Sequence, residues 1–141
     1  MNILIVEDEV LLAMELESEV EGAGHRVVGT ATDSRGAIEL IDTASPQFAF
    51  VDIQLLDGAT GIDVGHYLSA KDIPFVFVSG NLKRIPDDFA GAVGAIEKPY
   101  TVNGLQNALQ FLQTVVDGGH SSNVAPPSLV LSPAARATLA A

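Results

Sequence analysis

Short, almost wholly apolar runs alternate with longer amphipathic ones along this chain, and that alternation constrains the fold more than anything else in the sequence. The apolar runs are NILIV (2–6), RVVGT (26–30), FAFVD (48–52), FVFVS (75–79) and AVGAIE (92–97). Each is strand-length and rich in β-branched or aromatic residues. The first intervening stretch, LLAMELESEVEGAG, puts Leu12, Leu16, Val20 and Ala23 on one helical face and ends at Gly22 or Gly24. A second helix, capped by Asp33 or Ser34, carries Ala37, Ile38, Leu40 and Ile41 and breaks before Pro46. A third runs from about Gly61 to Ala70, and a last one begins near Thr101 with Val102, Leu105, Leu109, Leu112 and Val116 on one face. Five strand-helix units with near-continuous apolar strands predict an α/β, doubly wound, five-stranded parallel sheet with flanking helices.

With 141 residues the chain has room for one such domain. Eighteen acids against seven bases give a net charge of −11, which repels a phosphate backbone and argues against direct nucleic-acid binding. The absence of cysteine excludes disulfides and thiolate metal sites and fits a reducing compartment, the cytoplasm. No apolar run approaches the ~18 residues of a membrane span, and the first ten residues lack the basic and apolar regions of a signal peptide.

In a doubly wound sheet ligands bind beyond the carboxyl ends of the strands. Those ends read VEDE, VD, VSG and IEKPY, so Glu7, Asp8, Asp52, Ser79 and Lys98 are expected to converge on one rim. Two like charges 4 Å apart at an effective dielectric of 20 repel by about 4 kcal/mol, and a divalent cation relieves that repulsion. An all-oxygen site without His or Cys selects a hard ion, Mg²⁺. A carboxylate nucleophile, a metal, a lysine and a hydroxyl together describe phosphoryl transfer. Asp57, Asp63, Asp87 and Asp88 read as turn and cap residues, and His25, His66 and His120 lack ligand spacing.

In their order and on their elements, Glu7 and Asp8, Asp52, Ser79, and Lys98 with Pro99 resemble the receiver domain of two-component response regulators, over about residues 2–117. The resemblance implies the flavodoxin-like, CheY-like receiver fold. It implies phosphorylation of Asp52 from a phosphohistidine on a sensor histidine kinase or a phosphotransfer protein. Mg²⁺ would be held by Asp8, Asp52 and the main-chain carbonyl of Gln54, with Glu7 helping, while Ser79 and Lys98 hold the phosphate oxygens. Such a protein is a phosphoacceptor rather than an enzyme in the ordinary sense, although it assists its own phosphorylation and dephosphorylation. Ala95 stands where many receivers carry a switch aromatic. Phe77-Val78-Ser79-Gly80-Asn81, EKPY and the loop DIQLLDGATG, with Leu56 in place of Pro, resemble the FAT GUY subgroup of α-proteobacteria. That subgroup is associated with kinases of the HWE and HisKA2 type and with general stress signalling.

Between Ser79 and Lys98, Pro86, Gly91 and Gly94 allow only a short helix, a segment expected to become ordered on phosphorylation. Residues 118–141 are too few for an effector domain, so the reading is a stand-alone receiver with a tail that is flexible or docked, acting through a downstream protein partner. Phe111 and Val115 lie beside the core stripe of the last helix, a second apolar surface suited to a partner, a homodimer or the tail segment SLVLS. Two alternatives remain. One is a degenerate receiver that binds partners without phosphorylation. The other is a haloacid-dehalogenase-like phosphatase, although there the aspartyl nucleophile follows the first strand rather than the third.

Overall fold

A computed structural model describes residues 1–118 and 125–140. The strands are β1 (Asn2–Val6), β2 (Arg26–Ala31), β3 (Phe48–Asp52), β4 (Phe75–Ser79), β5 (Gly94–Glu97) and β6 (Val130–Leu131). The helices are α1 (Val10–Gly22), α2 (Ser34–Ala44), α3 (Gly61–Ala70), α4 (Val102–Val116) and α5 (Pro133–Ala140). One sheet has the order β2-β1-β3-β4-β5-β6; the first five strands are parallel, and β6 is antiparallel to β5. The α/β doubly wound expectation holds, with a sixth strand added from the tail.

Strand alternation sorts the core into two layers. Leu4, Val6, Ala49, Val51, Phe75 and Phe77 face α2 and α3, where Ala37, Ile41, Val64 and Leu68 meet them. Ile3, Ile5, Phe48, Phe50, Val76 and Val78 face α1 and α4 and pack with Leu16, Val20, Leu105, Leu109 and Leu112. Because successive side chains point to opposite faces, strands buried on both sides must be apolar at every position. Two edge-to-face aromatic pairs, Phe48–Phe50 and Phe75–Phe77, each have centroids 5.3 Å apart. Gly65 makes room for the second pair, since a Cβ there would meet Phe75 at 2.9 Å.

Four expectations need correction. Ala23 is exposed at the C-cap of α1, and Ala13 takes its place among the buried residues. Val102, in the first turn of α4, is 56% exposed because the chain there has only just left the sheet rim. The fifth strand begins at Gly94 rather than Ala92. The β4–β5 connection holds no α-helix: two 3₁₀ turns, Leu82–Arg84 and Phe89–Gly91, flank Pro86. Pro86 denies an N–H to any helix crossing it, and Phe89, Ala90 and Gly91 all adopt positive φ, which ends the second turn at once. Helices therefore follow four of the five parallel strands, β4 being the exception, so the five strand-helix units expected are four.

The tail from 125 onward is docked. Leu129 and Ser132 are buried, and Ser132 N–H donates to the Val93 carbonyl at 2.9 Å. Phe111 is buried as well, in the same apolar cluster as Leu129, with Val115 and Leu139 packed against it. His120 lies outside the described residues, as do the other tail positions between 119 and 124.

Candidate functional site

Register decides which residues meet. Val6 pairs with Val51, so Glu7 and Asp52 leave neighbouring strands at the same level, at the point where strand order reverses between β1 and β3. One carboxylate oxygen from each of Glu7, Asp8 and Asp52 lies within 4.8 Å of the others, the one such cluster among the described residues. Lys98 reaches in from the end of β5, donating to Glu7 Oε1 at 2.7 Å and to Asp52 Oδ2 at 2.9 Å. It is placed there by a Lys98 N–H bond to the Ser79 carbonyl at 2.9 Å.

Glu7 is buried, and its second oxygen accepts from the Glu9 N–H at 3.3 Å. Burial, then the hydrogen bond and charge of Asp52, raise its pKa to about 7 against the lowering effect of Lys98. The Lys98 pKa is raised: burial works against its charge, but its hydrogen bonds to Glu7 and Asp52 outweigh it. The cluster therefore carries more negative charge than Lys98 alone satisfies, and its donors are all oxygen. That donor set fits a hard divalent cation.

Of the other predicted residues, Ser79 ends β4 buried, but its hydroxyl is engaged with the loop, donating to the Asn81 carbonyl and accepting from the Asn81 N–H, both at 3.1 Å. Among the described residues the Gln54 carbonyl accepts from no main-chain N–H, while the Gln54 side chain accepts from Arg84 Nη2 at 3.1 Å. Asp57 is a turn residue, accepting from the Ser34 hydroxyl at 2.5 Å and from Thr60, and its pKa is lowered by the Ser34 and then the Thr60 hydrogen bonds. Asp33 caps α2 through the Gly36 N–H, and Asp88 holds the Ala90 N–H. Asp63 sits in the first turn of α3, and Asp87 is exposed. His25 lies beside the N-terminal amine and His66 on the exposed face of α3, neither in a cluster of metal-binding side chains.

Three contributors were not singled out from the sequence. Gly61 packs so closely on β3 that a Cβ would fall 1.9 Å from the Asp52 carbonyl oxygen. Tyr100, half-buried, shares a cavity of about 10 Å³ with Glu7 and Asp52. Burial, followed by the charge of Glu15, raises its pKa. Arg84 forms no ion pair among the described residues and lies against the loop that follows Asp52. A glycine at a helix start is common, so nothing in the sequence marked Gly61 as a contact with the acid's own carbonyl.

The family model for the response regulator receiver domain matches residues 3–110. The chain belongs to that family. Among curated proteins it is similar to the phyllosphere-induced regulator PhyR of Methylorubrum extorquens, with 40% identity over 85 residues, covering 59% of this chain and 32% of that protein. It also resembles the KDP operon transcriptional regulatory protein KdpE of Escherichia coli, 33% identical over 133 residues, covering 92% of this chain and 56% of the other. The chain thus spans about a third to about half the length of these relatives. Among solved structures, the receiver domain of PhyR from Erythrobacter litoralis superposes with a TM-score of 0.72 at 28% identity, covering 87% of this chain and 95% of that one. This receiver domain is a signalling module with an acidic pocket of Glu7, Asp8, Asp52 and Lys98. No helix among the described residues is long and apolar enough to cross a membrane.

Proposed function

We propose that Asp52 is the phosphoacceptor of a two-component response regulator, charged by a sensor histidine kinase or a phosphotransfer protein. The observation that supports this most is the Asp52 carboxylate at the rim of β3, in hydrogen-bond contact with Lys98 and beside two further acids. In the reaction an Asp52 oxygen attacks the phosphorus of a phosphohistidine, the N–P bond breaks, and the imidazole leaves with the electron pair. The product is an acyl phosphate. Asp8, Asp52 and the Gln54 carbonyl, with Glu7 assisting, would hold Mg²⁺, which would supply charge neutralisation for the incoming phosphoryl oxygens. Lys98, already in contact with Asp52, exchanges one carboxylate oxygen for a phosphoryl oxygen with little movement. Ser79 gives up its bond to the Asn81 carbonyl to donate to the phosphate while still accepting from the Asn81 N–H, which draws the loop after β4 inward.

Val10, Leu11 and Met14, between 59% and 75% exposed on α1 three to seven residues after Glu7, supply an apolar surface beside the pocket against which a kinase helix can present its histidine. The similarity to PhyR receivers favours placement in the FAT GUY subgroup, with HWE or HisKA2 kinases as donors. The signal then passes to a downstream protein or onward as phosphate.

The test is intact mass after incubation with Mg²⁺ and acetyl phosphate, wild type against Asp52→Ala. The expected result is one phosphoryl group gained by wild type alone. No gain with acetyl phosphate or with candidate kinases points instead to a receiver that binds partners without phosphorylation. Turnover of small phosphate esters would point to the phosphatase reading.

A further inference from the structure

The receiver body has a sheet edge shaped for an additional strand. Gly94 of β5 faces the tail so closely that a Cβ would fall 2.3 Å from the Val130 carbonyl oxygen, and the three heavy atoms nearest that Cβ all belong to the tail. Gly104, in the first turn of α4, touches the tail as well: a Cβ there would lie 2.9 Å from the capping Thr101 Oγ1 and 3.1 Å from Ser128 Cβ, and the Gly104 carbonyl accepts from the Ser128 hydroxyl at 2.7 Å. Between these contacts Leu129 is 5% exposed in the apolar cluster of Phe111 and Leu105.

The attachment is nevertheless slight. Only Val130 and Leu131 pair with β5, at Ala95 and Gly94, whereas the neighbouring β4–β5 pair has four partners. Val130 remains 39% exposed, and α5 beyond it is exposed along most of its length. Charge also matches: residues 125–140 hold no acid and one base, Arg136, on a chain of net charge −11. An unpaired edge strand is a template for another strand, and a short, weakly attached segment covers it here.

We propose that the β5 edge with the adjoining face of α4 is a strand-accepting interaction surface. Residues 125–140 are its reversible ligand in cis, and the partner it fits is an extended, uncharged or weakly basic segment of another protein with the pattern Ser-Leu-Val-Leu-Ser. The tail opens without unfolding the body, and a partner strand enters by displacing it. This does not depend on phosphorylation of Asp52.

Hydrogen exchange on the wild-type full chain is the first measurement. Residues 129–132 should exchange at least tenfold faster than β1 and β3, yet at least tenfold slower than a free peptide of the same sequence. Exchange of 129–132 only at the rate of β1 and β3 overturns the proposal, because the tail would then be a permanent part of the core. A fluorescent peptide of residues 125–140 should bind full-length Leu129→Asp at least tenfold more tightly than wild type, whose own tail competes. Adding Gly94→Val should abolish that binding. Failure of Leu129→Asp to bind once exchange shows its tail released, or binding undiminished by Gly94→Val, also overturns it. If Leu129→Asp does not fold, the wild-type exchange comparison decides alone.

Discussion

Lys98 Nζ lies 2.7 Å from Glu7 Oε1, joining the ends of β5 and β1 across 91 positions of sequence. The contact leaves Glu7 buried between one cation and another carboxylate, and its pKa stands at about 7 rather than 4.5. Since the folded-state value exceeds the unfolded one, the folded chain holds the proton more tightly. The resulting stability is complete below about pH 4.5 and is lost as pH rises through about 7. In chelator, wild type should lose on the order of 3 kcal/mol between pH 4.5 and 8 from this group. Glu7→Gln should remove that slope. Denaturant unfolding of both across this range checks it, and parallel profiles would assign the pH dependence elsewhere.

Lys98→Met should leave three acids without their cation. At pH 8 and without metal, stability should fall by about 3 kcal/mol, as when one partner of a buried pair is removed. Mg²⁺ should recover a larger share in this variant than in wild type, because it enters a site of higher negative charge. Urea midpoints with and without Mg²⁺ give both numbers. An equal Mg²⁺ effect in the two proteins would mean that the ion and Lys98 do not address the same carboxylates.

Gly61 has no freedom to carry a side chain, with the Asp52 carbonyl where its Cβ would be. Gly61→Ala must move the start of α3 away from β3, breaking the Gly61 N–H bond to the Ile53 carbonyl at 2.9 Å. A cost of about 3 kcal/mol is expected, with slower phosphorylation from acetyl phosphate. Gly80→Ala, where a Cβ meets nothing within 4 Å, should stay within about 0.5 kcal/mol of wild type.

The strands β3 and β4 and the helix α3 were legible to the residue, because each is bounded by turn chemistry and uniformly apolar or periodic within. The rim acids were legible for the same reason: a strand that is apolar at every position makes its first carboxylate conspicuous. The buried face of α1 was harder to read, since Leu12 and Ala13 compete for one stripe and only packing against β1 selects Ala13. The segment SLVLS was legible as a candidate to dock beside Phe111 and Val115, but its pairing with β5 as β6 was not. Two residues have no period, and the clearest sign of them is Gly94, a glycine whose purpose appears only when Val130 is beside it.

Residues 80–92 connect β4 to β5 through two 3₁₀ turns, where each turn is held by few main-chain bonds, among them Arg84 N–H to Asn81 and Phe89 N–H to Pro86. Ser79 anchors the near end by bonding both main-chain groups of Asn81. If the Ser79 hydroxyl donates to a phosphate on Asp52, it releases the Asn81 carbonyl but still accepts from the Asn81 N–H, so the first turn becomes tied through Ser79 to the phosphate. Amide exchange over 80–92 should therefore slow several-fold when a beryllium fluoride phosphate mimic is bound with Mg²⁺. Ser79→Ala should exchange faster than wild type without the mimic and show little change with it, since neither state then has the hydroxyl. Equal exchange in wild type with and without the mimic would place the response to phosphorylation outside this segment.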